Sequence, residues 1–579
     1  MRNAFLNWIV FVFGIFGLVY LIIVQNDDFV SQIFGICVVS LAIFYFVRFE
    51  KELVKKIQQS TASLITFGLL YQYPDEAREP KEEKRVRAEK IFHDLALATI
   101  VTISAIALFY NLGWRDFWED EHQVVSAAAG HYYTGEFFRW DWIKKDVMCA
   151  DRTSECMYDR AWPHSWLIAQ SYRLFGISEW SSRVVSALFM LLTTIGVYFF
   201  AKFFTENKNV ALVSAFVVAV HPNLVIIGRY TRMYALFIPL FLLLAHCIFR
   251  AVSHKIHYGY ALGAAITLGI GYFVHINILI ILPAVLLFVI YRAATTQKKE
   301  YIALSVVGIM GLAALYIIAA FTSWFENVVG FFSFFGRNNT VYLEYVAGFP
   351  FPAKFGFAIM VLGFVGTARF LIKETLKHKL IYLYFISFFA LFFFMYIGDR
   401  YASFMYTSPI TVIFIVLAIN SYFLFVDRIR PRVLKILFIL ALLINPAYVF
   451  YENRSEIYEG EGFGKISIAY ASIAENIKPG EVIFGQYLRD YYLQSIDPQT
   501  PRISMLNNQS YSYQSFREDL ARYESGWITW ETRKRYHIQP EIRDFAQQYL
   551  TKIHGAEADA SGVELYYFST PMLPPTNNL

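Results

Sequence analysis

Charged residues are scarce in this chain of 579 residues. Asp, Glu, Lys and Arg together make up 17% of the sequence, hydrophobic residues make up 57%, and the mean hydropathy is +0.42. A soluble domain normally contains about a quarter charged residues. The composition therefore excludes an ordinary soluble globular protein and indicates a polytopic α-helical membrane protein.

Cysteine is also rare, and four cysteines are too few for a disulfide scaffold. Cys37 and Cys247 lie in apolar runs and are expected to pack as small hydrophobic residues. Cys149 and Cys156 share one loop, where they would form a disulfide or remain two free thiols. The histidines and cysteines lack zinc-ligand spacing. A net charge of +5 does not indicate nucleic-acid binding, because the basic residues stand in short loops between apolar runs.

Long apolar runs are abundant. A membrane helix needs about 20 apolar residues, and the sequence predicts about thirteen such spans. The predicted spans are 4–24, 29–47, 91–112, 181–204, 209–228, 232–250, 258–275, 277–292, 301–322, 353–372, 380–398, 401–426 and 433–450. The run 4–24 is too long for the apolar core of a typical signal peptide and lacks a small-residue cleavage site, so it is interpreted as a retained helix. The apolar stretch 61–73 is too short to span and is interpreted as an interfacial or re-entrant helix.

Lysine and arginine are concentrated in alternate connections, above all in the segment 48–90. The positive-inside rule places these connections and the N-terminus in the cytoplasm of a multi-pass inner membrane protein. Three regions are expected: a hairpin with a basic cytoplasmic segment (1–90), a transmembrane module (91–450) whose first extracytoplasmic loop is 113–180, and a small extracytoplasmic α/β domain (451–579).

The α/β prediction for the C-terminal region comes from strand candidates that alternate with helical stretches. The strand candidates are 481–484, 526–530 and 564–568, and 540–550 is one of the helical stretches. The region contains neither a nucleotide-binding motif nor a nucleophile elbow. Capping, acceptor recognition or scaffolding is therefore favoured over catalysis.

Three consecutive acids, Glu119, Asp120 and Glu121, follow the run 91–112 at a membrane boundary. Carboxylates lose hydration there and are rarely retained without a binding or catalytic use, although a solvated loop is the alternative. The small residues 127–129, then Trp162-Pro163-His164, then Arg183 with a small-residue motif follow in order. This order resembles the GT-C superfamily of membrane glycosyltransferases, especially the protein O-mannosyltransferases and the ArnT-like aminoarabinose transferases.

The resemblance covers roughly residues 91–450 and implies a catalytic role for the acidic cluster. Asp120 matches the catalytic Asp, which would act as general base, and Glu121 matches its companion. Glu119 is an extra acid that leaves the alignment ambiguous by one residue. A divalent cation, Mg²⁺ or Mn²⁺, would find hard oxygen ligands in Asp120 and Glu121. Members of the superfamily differ in this respect, so no cofactor is required.

A second group of residues is basic. Arg229 and Arg232 are three residues apart, which on a helix places them on one face, and paired guanidiniums suit a phosphate. The alternative is snorkelling to lipid headgroups. The surrounding segment, which includes Tyr234, is similar to one in bacterial members of the superfamily. Arg400, ahead of Tyr401, resembles an Arg associated with the donor phosphate.

Supporting residues are also expected from the resemblance. Arg183 matches an Arg that neighbours the active-site carboxylates, with a helix N-terminal anchor as the alternative. Trp162 and His164 stand where the families place residues that support the acceptor or the carboxylates. This chain has Trp-Pro-His there instead of the Lys-Pro-Pro or His-Pro-Pro of those families, so the role of His164 stays open.

The resemblance implies an inverting hexosyl- or pentosyltransferase that uses a polyprenyl-phosphate sugar donor on the extracytoplasmic face. Its acceptor would be a protein, a lipid or a glycan. One alternative is a polysaccharide polymerase or ligase, which usually depends on basic residues in a large late loop. Another is a non-enzymatic transporter or flippase, which is often built from two related halves. A transporter would place its charges near the bilayer midplane, whereas an enzyme would gather them in one outward-facing cavity.

Overall fold

The computed structural model describes residues 79–148, 161–253, 257–320, 378–397, 404–427, 431–458, 465–486, 488–505, 511–532, 538–553 and 562–569. Several predicted features lie outside these residues. They are the hairpin 1–47, the interfacial stretch 61–73, the span 353–372, the cysteines Cys149 and Cys156, and Arg400.

Helices make up most of the described chain up to residue 458. They are Glu79–Phe109, Glu119–Thr134, Trp162–Phe175, Glu179–Thr205, Lys208–Val220, Pro222–Gly228, Tyr234–Val252, Tyr258–Val274, the 3₁₀ turn Ile276–Ile280, Ile281–Thr296, Lys299–Ala320, His378–Ile397, Phe404–Val426, Arg432–Glu452 and Arg454–Tyr458.

Within the described residues, six helical stretches are long and apolar enough to cross a membrane, or seven if one bent pair counts as a single span. The six are Ile91–Phe109, Glu179–Thr205, Tyr234–Val252, Ile276–Thr296, Met405–Leu424 and Val433–Glu452. Each overlaps a predicted span. The molecule is therefore a helical multi-pass membrane protein, while the total of thirteen spans stays a prediction.

The predicted span 209–228 is not one straight helix. It consists of Lys208–Val220 and Pro222–Gly228, which meet at an angle of 65°. Proline lacks a backbone N–H and disfavours a helical conformation for the residue before it. His221 accordingly has extended backbone angles (φ −74°, ψ 116°). The bend directs the end of the second helix, and the loop that follows it, towards the acidic cluster.

The membrane-spanning helices share one apolar core. Met405–Leu424 is the most enclosed of the six spans, with 83% of its apolar window buried, whereas Val433–Glu452 has only 13% buried. The acidic helix, Glu119–Thr134, packs beside Trp162–Phe175, and its own residues Val125, Ala127, Ala128 and Ala129 are fully buried. These small residues allow the acidic helix to approach its neighbours closely.

A two-stranded ribbon follows the acidic helix: β1 (Trp140–Asp141) pairs antiparallel with β2 (Asp146–Val147). The C-terminal residues form a five-stranded sheet of β3 (Val482–Gly485), β4 (Arg502–Ser504), β5 (Ser525–Glu531), β6 (Thr551–Lys552) and β7 (Val563–Ser569). Its helical elements are Ile466–Asn476, the 3₁₀ turn Asp490–Leu493, Tyr513–Leu520 and Pro540–Tyr549.

The strand order in this sheet is β4-β3-β5-β7-β6. The strands β4, β3 and β5 are mutually parallel, and β7 runs antiparallel to both β5 and β6. Because successive side chains of a strand point to opposite faces, Ile528 and Trp530 enter one apolar cluster and Trp527 enters the other. The second cluster also takes in Ile143 from the ribbon connection, so the first loop packs into the core of the C-terminal sheet.

We expect Gly130→Ala to destabilise the protein. A Cβ at this helical position would lie 1.7 Å from the backbone carbonyl oxygen of Phe138, and overpacking of a core costs about 1–3 kcal/mol or more. The measurement is the thermal unfolding midpoint in detergent. Gly196→Ala is the matched control, because it is also helical and a Cβ there would meet nothing within 4 Å. Equal midpoints for both variants would contradict this account of the helix packing.

Candidate active site

The acidic cluster forms the first turn of the acidic helix. Trp118 is the N-cap residue, and Glu121, three positions later, accepts a hydrogen bond from the Trp118 amide at its Oε2 (3.0 Å). Glu119, Asp120 and Glu121 all occupy the first turn, where negative charge interacts favourably with the helix dipole. Of these, Asp120 and Glu121 point in different directions and meet different environments.

Glu121 is fully buried, and all of its acceptor positions are used. Its Oε1 accepts from the Arg183 Nε (2.9 Å) and the Thr231 amide (2.7 Å), and its Oε2 accepts from the Arg183 Nη2 (2.9 Å) in addition to Trp118. A carboxylate has about four lone-pair sites. Glu121 therefore has no free site for a substrate proton.

The charge of Glu121 is retained despite its burial. Burial by itself raises the pKa of a carboxyl, but the Arg183 charge and its hydrogen bonds hold the pKa of Glu121 below the ordinary 4.5. A lowered folded-state pKa means that the stability this pair contributes is present above the unfolded-state pKa. That stability is lost as the pH falls through the lower folded-state value.

Arg183 joins the loop to the helix Glu179–Thr205. Besides its two bonds to Glu121, it donates to the backbone carbonyls of Leu112, Arg115 and Asp116, at 3.2, 2.5 and 2.9 Å. It is only 1% exposed, and its guanidinium lies over the Phe117 ring. Arg183 thus neighbours the acidic cluster, as the resemblance implied, and fixes the chain that leads into it.

Asp120 has a different environment from Glu121. Its side chain is 36% exposed, and its Oδ2 lies 3.3 Å from the Arg232 Nη2. The same guanidinium donates through Nη1 to the Asp120 carbonyl oxygen (3.1 Å). The arrangement therefore presents an accessible carboxylate beside a guanidinium that is largely buried, at 11% exposure.

The loop that carries Arg232 is fixed on both sides of that residue. The Thr231 amide donates to Glu121, and the Ser186 hydroxyl donates to the Arg232 carbonyl (3.4 Å). The Arg232 guanidinium also lies 5.7 Å from the centre of the Tyr234 ring. Arg232 is thus placed next to Asp120 by a loop that Glu121 and Ser186 hold, and Tyr234 lies against Arg232.

Arg229 points elsewhere. Its guanidinium donates to the carbonyls of Leu108 (3.0 Å), Tyr110 (2.6 Å) and Asn111 (3.3 Å) at the end of the helix Glu79–Phe109, and it stacks over Tyr458. One helix ends at Gly228 and the next begins at Tyr234, so residues 229–233 are not helical. The expectation that Arg229 and Arg232 share one helix face is therefore wrong.

His164 is fully buried at the start of Trp162–Phe175, and its Nε2 lies 3.1 Å from the Ser186 hydroxyl. Burial, and then the charge of Arg232, lower its pKa to about 3. The imidazole is therefore neutral at neutral pH. It contacts the serine that fixes the Arg232 carbonyl and adds no positive charge to the site.

Trp162 lies on the outside of the same helix. It is 39% exposed, and its ring is near the rings of Phe137 and Phe273, at 6.2 and 5.9 Å between centres. Its ring thus packs with aromatic side chains. Its predicted supporting role stays a prediction.

Comparison with known proteins places this geometry in context. A family model described as dolichyl-phosphate-mannose-protein mannosyltransferase matches residues 159–324. Among solved structures, ArnT from Cupriavidus metallidurans in the apo state superposes with a TM-score of 0.53 at 13% identity, covering 84% of this chain and 100% of that one. The same protein bound to undecaprenyl phosphate gives 0.51 at 13% identity, with 83% and 99% covered. The Archaeoglobus fulgidus oligosaccharyltransferase in the apo form gives 0.51 at 13% identity, with 80% and 73% covered.

The chain has the GT-C fold. The resemblance seen in the sequence is thereby confirmed at the level of the fold.

Curated relatives match shorter parts of the chain. "Putative mannosyltransferase YkcB" of Bacillus subtilis (strain 168) is 26% identical over 234 residues, which are 40% of this chain and 30% of that protein. An "Uncharacterized protein" of Aquifex aeolicus (strain VF5) is 25% identical over 126 residues, which are 22% of this chain and 23% of that protein. The match thus spans less than a third of the length of each relative.

A metal ion does not fit the acidic cluster of this GT-C chain well. Within the described residues, no group of three or more His, Cys, Asp or Glu side chains is arranged to hold one. Both oxygens of Glu121 already accept two hydrogen bonds each, so the cation predicted at Asp120 and Glu121 would have to displace Arg183 or backbone amides.

Several residues of the site were not singled out by their sequence. His275 packs against Tyr234, with ring centres 5.5 Å apart, and Ser186 links His164 to the Arg232 carbonyl. The C-terminal residues Asp490 and Tyr492 contact His122 and Phe117 in the stretch 116–122, which we call the acidic loop. Ser186 stood within the motif after Arg183, but nothing in its spacing indicated a link to residue 232.

We expect Glu121→Gln to destabilise the protein strongly and Asp120→Asn to leave its stability nearly unchanged. The first change leaves the buried Arg183 charge without its counter-ion, which typically costs about 3–5 kcal/mol. The second removes a charge from an ion pair that is one-third exposed on the carboxylate side, where such pairs are worth about 1 kcal/mol or less. Thermal unfolding of both variants in one detergent compares them directly. Similar midpoints would show that Glu121 is not the residue that fixes the loop.

Proposed function

We propose that this protein is a membrane glycosyltransferase that moves a sugar from a polyprenyl-phosphate donor to an acceptor on the extracytoplasmic face. The observation that carries the proposal is the pairing of an accessible carboxylate, Asp120, with a largely buried guanidinium, Arg232, at 3.3 Å. Sugar transfer from a lipid phosphate needs a base for the acceptor hydroxyl and a cation for the leaving phosphate. These two side chains supply both.

Asp120 is the proposed general base, and Glu121 is proposed to position it. Asp120 takes the proton of the acceptor hydroxyl while that oxygen forms a bond to the anomeric carbon of the donor. The bond from the anomeric carbon to the phosphate oxygen breaks, and the polyprenyl phosphate leaves with the electron pair. A single displacement of this kind inverts the anomeric configuration.

Arg232 is the proposed principal partner of the donor phosphate. Its guanidinium is held beside Asp120. The proposed base and the proposed partner of the leaving phosphate are therefore adjacent side chains. Fixed donors in a water-poor site stabilise developing charge without reorganisation. Tyr234 is proposed to orient Arg232 through its ring. Arg400 is proposed as a further phosphate contact, and Arg229 as a structural cation that holds the end of a membrane helix.

The likeness to known proteins supports the class of donor. One of the superposed structures is named as bound to undecaprenyl phosphate, and the matching family is described as acting with dolichyl-phosphate-mannose. These descriptions support a polyprenyl-phosphate donor, and the family description favours a hexose over a pentose. The acceptor class, whether protein, lipid or glycan, is the open part of the proposal.

A transporter or flippase is less well supported. Its charges would be expected near the bilayer midplane, within the spans. Asp120 stands in the turn after the span Ile91–Phe109, and Arg232 stands just before the span Tyr234–Val252. The charged pair thus lies at the ends of membrane helices, which suits transfer at the membrane surface.

Asp120→Asn is expected to reduce product formation by a factor of about 10² to 10⁴, the usual contribution of a general base. The amide keeps the shape of the side chain but cannot accept the proton. Glycans and glycolipids of a deletion strain that carries each variant would be compared by mass spectrometry. Wild-type product from the Asn variant would remove Asp120 from the role of base.

Arg232→Ala is expected to weaken binding of undecaprenyl phosphate by roughly ten- to a hundredfold, because a charge-assisted hydrogen bond is worth about 1.5–3 kcal/mol. Arg232→Lys should restore only part of the affinity, since a lysine lacks the planar fork. Binding to purified protein in detergent is the measurement. The matched comparison is Arg229→Ala, which we expect to lower the thermal midpoint more than the affinity. If Arg229→Ala lowered the affinity and Arg232→Ala lowered mainly the thermal midpoint, the donor phosphate would be assigned to Arg229.

A further inference from the structure

The acidic loop is held from two opposite sides. Towards the membrane helices, Trp118 and Glu121 belong to the Arg183 network, and Asp120 contacts Arg232. Asp116, Phe117 and His122 contact the C-terminal sheet domain, and Asp116 and Phe117 also contact Arg183. Asp120 therefore stands between two residues, Phe117 and His122, whose partners lie about 370 positions later in the sequence.

Four polar contacts, made by three residues of the loop, form this second set. The Ser467 amide and hydroxyl donate to the Asp116 carboxylate at 2.6 and 3.0 Å. The Phe117 amide donates to the Tyr492 hydroxyl at 2.7 Å. The His122 Nε2 lies 2.7 Å from the Asp490 Oδ1.

These contacts are enclosed by apolar side chains. Phe117 is fully buried, and its ring meets that of Tyr491 edge to face at 5.0 Å. Trp142 meets Tyr491 in the same way at 5.0 Å, and its amide donates to the Asp490 Oδ2 at 3.1 Å. Asp490 is 2% exposed. Polar contacts in such surroundings are stronger than at a surface, and each is costly to leave unmade.

The two-stranded ribbon that follows the acidic helix also reaches into the C-terminal domain. Ile143 is 1% exposed within one of the two apolar clusters of the sheet. Asp141 accepts two hydrogen bonds from the Arg502 guanidinium, at 2.7 and 3.2 Å. Each domain thus inserts side chains into the other, and the joint is a packed interface built from both.

We propose that Asp490 and Tyr492 are positioning residues for the Asp120 base, acting through His122 and Phe117. This inference rests on the proposed function of Asp120. The C-terminal domain supplies one half of the support that sets the start of the acidic helix, and the Arg183 network supplies the other half. A misplacement of about 1 Å costs roughly a hundredfold in catalysis. Loss of either half therefore lowers transfer even when the donor site is intact.

The test uses the full-length protein and a double-mutant cycle of His122→Ala and Asp490→Ala. Product per amount of protein is measured by mass spectrometry in the complemented deletion strain. Binding of undecaprenyl phosphate is measured on the purified variants. We expect each single variant to lose at least tenfold in product with affinity unchanged within twofold, and the double variant to be no worse than either single one. Asp497→Ala, an exposed carboxylate in the same segment, is the control and should match the parent.

Hydrogen exchange distinguishes positioning from general unfolding. We expect the amides of residues 117–122 to lose protection in Asp490→Ala, while those of β5 keep theirs. If the alanine variants do not fold, Tyr492→Phe decides, because it removes only the hydroxyl that accepts from Phe117 and should still lower product about three- to tenfold. The proposal would be overturned if Tyr492→Phe formed as much product as the parent. It would also be overturned if the losses of the two single alanine variants added up in the double variant. The proposed function would survive that result as long as Asp120→Asn remains inactive, and a fully active Asp120→Asn would overturn the function instead.

Discussion

The arrangement of the site depends on one buried ion pair, Glu121 with Arg183. Removing both charges from water is costly, and the cost is offset only when the geometry is good and the remaining donors and acceptors are satisfied. Both conditions hold: the pair is bidentate, Glu121 also accepts two backbone amides, and Arg183 also donates to three carbonyls. Through these bonds the pair connects the loop after the first described membrane helix, the helix Glu179–Thr205 and the loop that carries Arg232.

Two adjacent acids acquire different roles because of this pair. Successive residues of a helix point about 100° apart, so only one of Asp120 and Glu121 can face Arg183. Glu121 does so, and it becomes a fully occupied structural anion. Asp120 is left at 36% exposure beside Arg232. The difference comes from direction and burial, since the two side chains have the same functional group.

Local patterns in the sequence predict much of the fold. The runs 181–204 and 232–250 correspond to the helices Glu179–Thr205 and Tyr234–Val252, because apolar length is a property of the segment itself. The strand candidates 481–484, 526–530 and 564–568 likewise overlap β3, β5 and β7. Pro222 is a local sign of a break that the hydropathy of 209–228 conceals. A second break, the non-helical residues 229–233, is why Arg229 and Arg232 do not share a helix face.

The partners of the acidic residues could not be predicted in this way. Arg183 was expected near the cluster only through the resemblance, and whether Glu121 or Asp120 would face it depends on the packing of helices far apart in the chain. The contacts of Asp116, Phe117 and His122 join residues about 350 to 375 positions apart. No local periodicity reports such contacts, because they arise only once the C-terminal domain has packed on the loop.

Asp120 is partly exposed, whereas Glu121 and His122, which follow it, make buried contacts. A general base must meet a substrate, so its carboxylate cannot be enclosed by the protein as Glu121 is, and an open side chain contributes little to fixing its own position. Its position must therefore come from its neighbours on both sides, where Glu121 is held by Arg183 and His122 contacts Asp490. The polar groups that hold the loop are buried and numerous, while the one group proposed to react is left free to exchange partners.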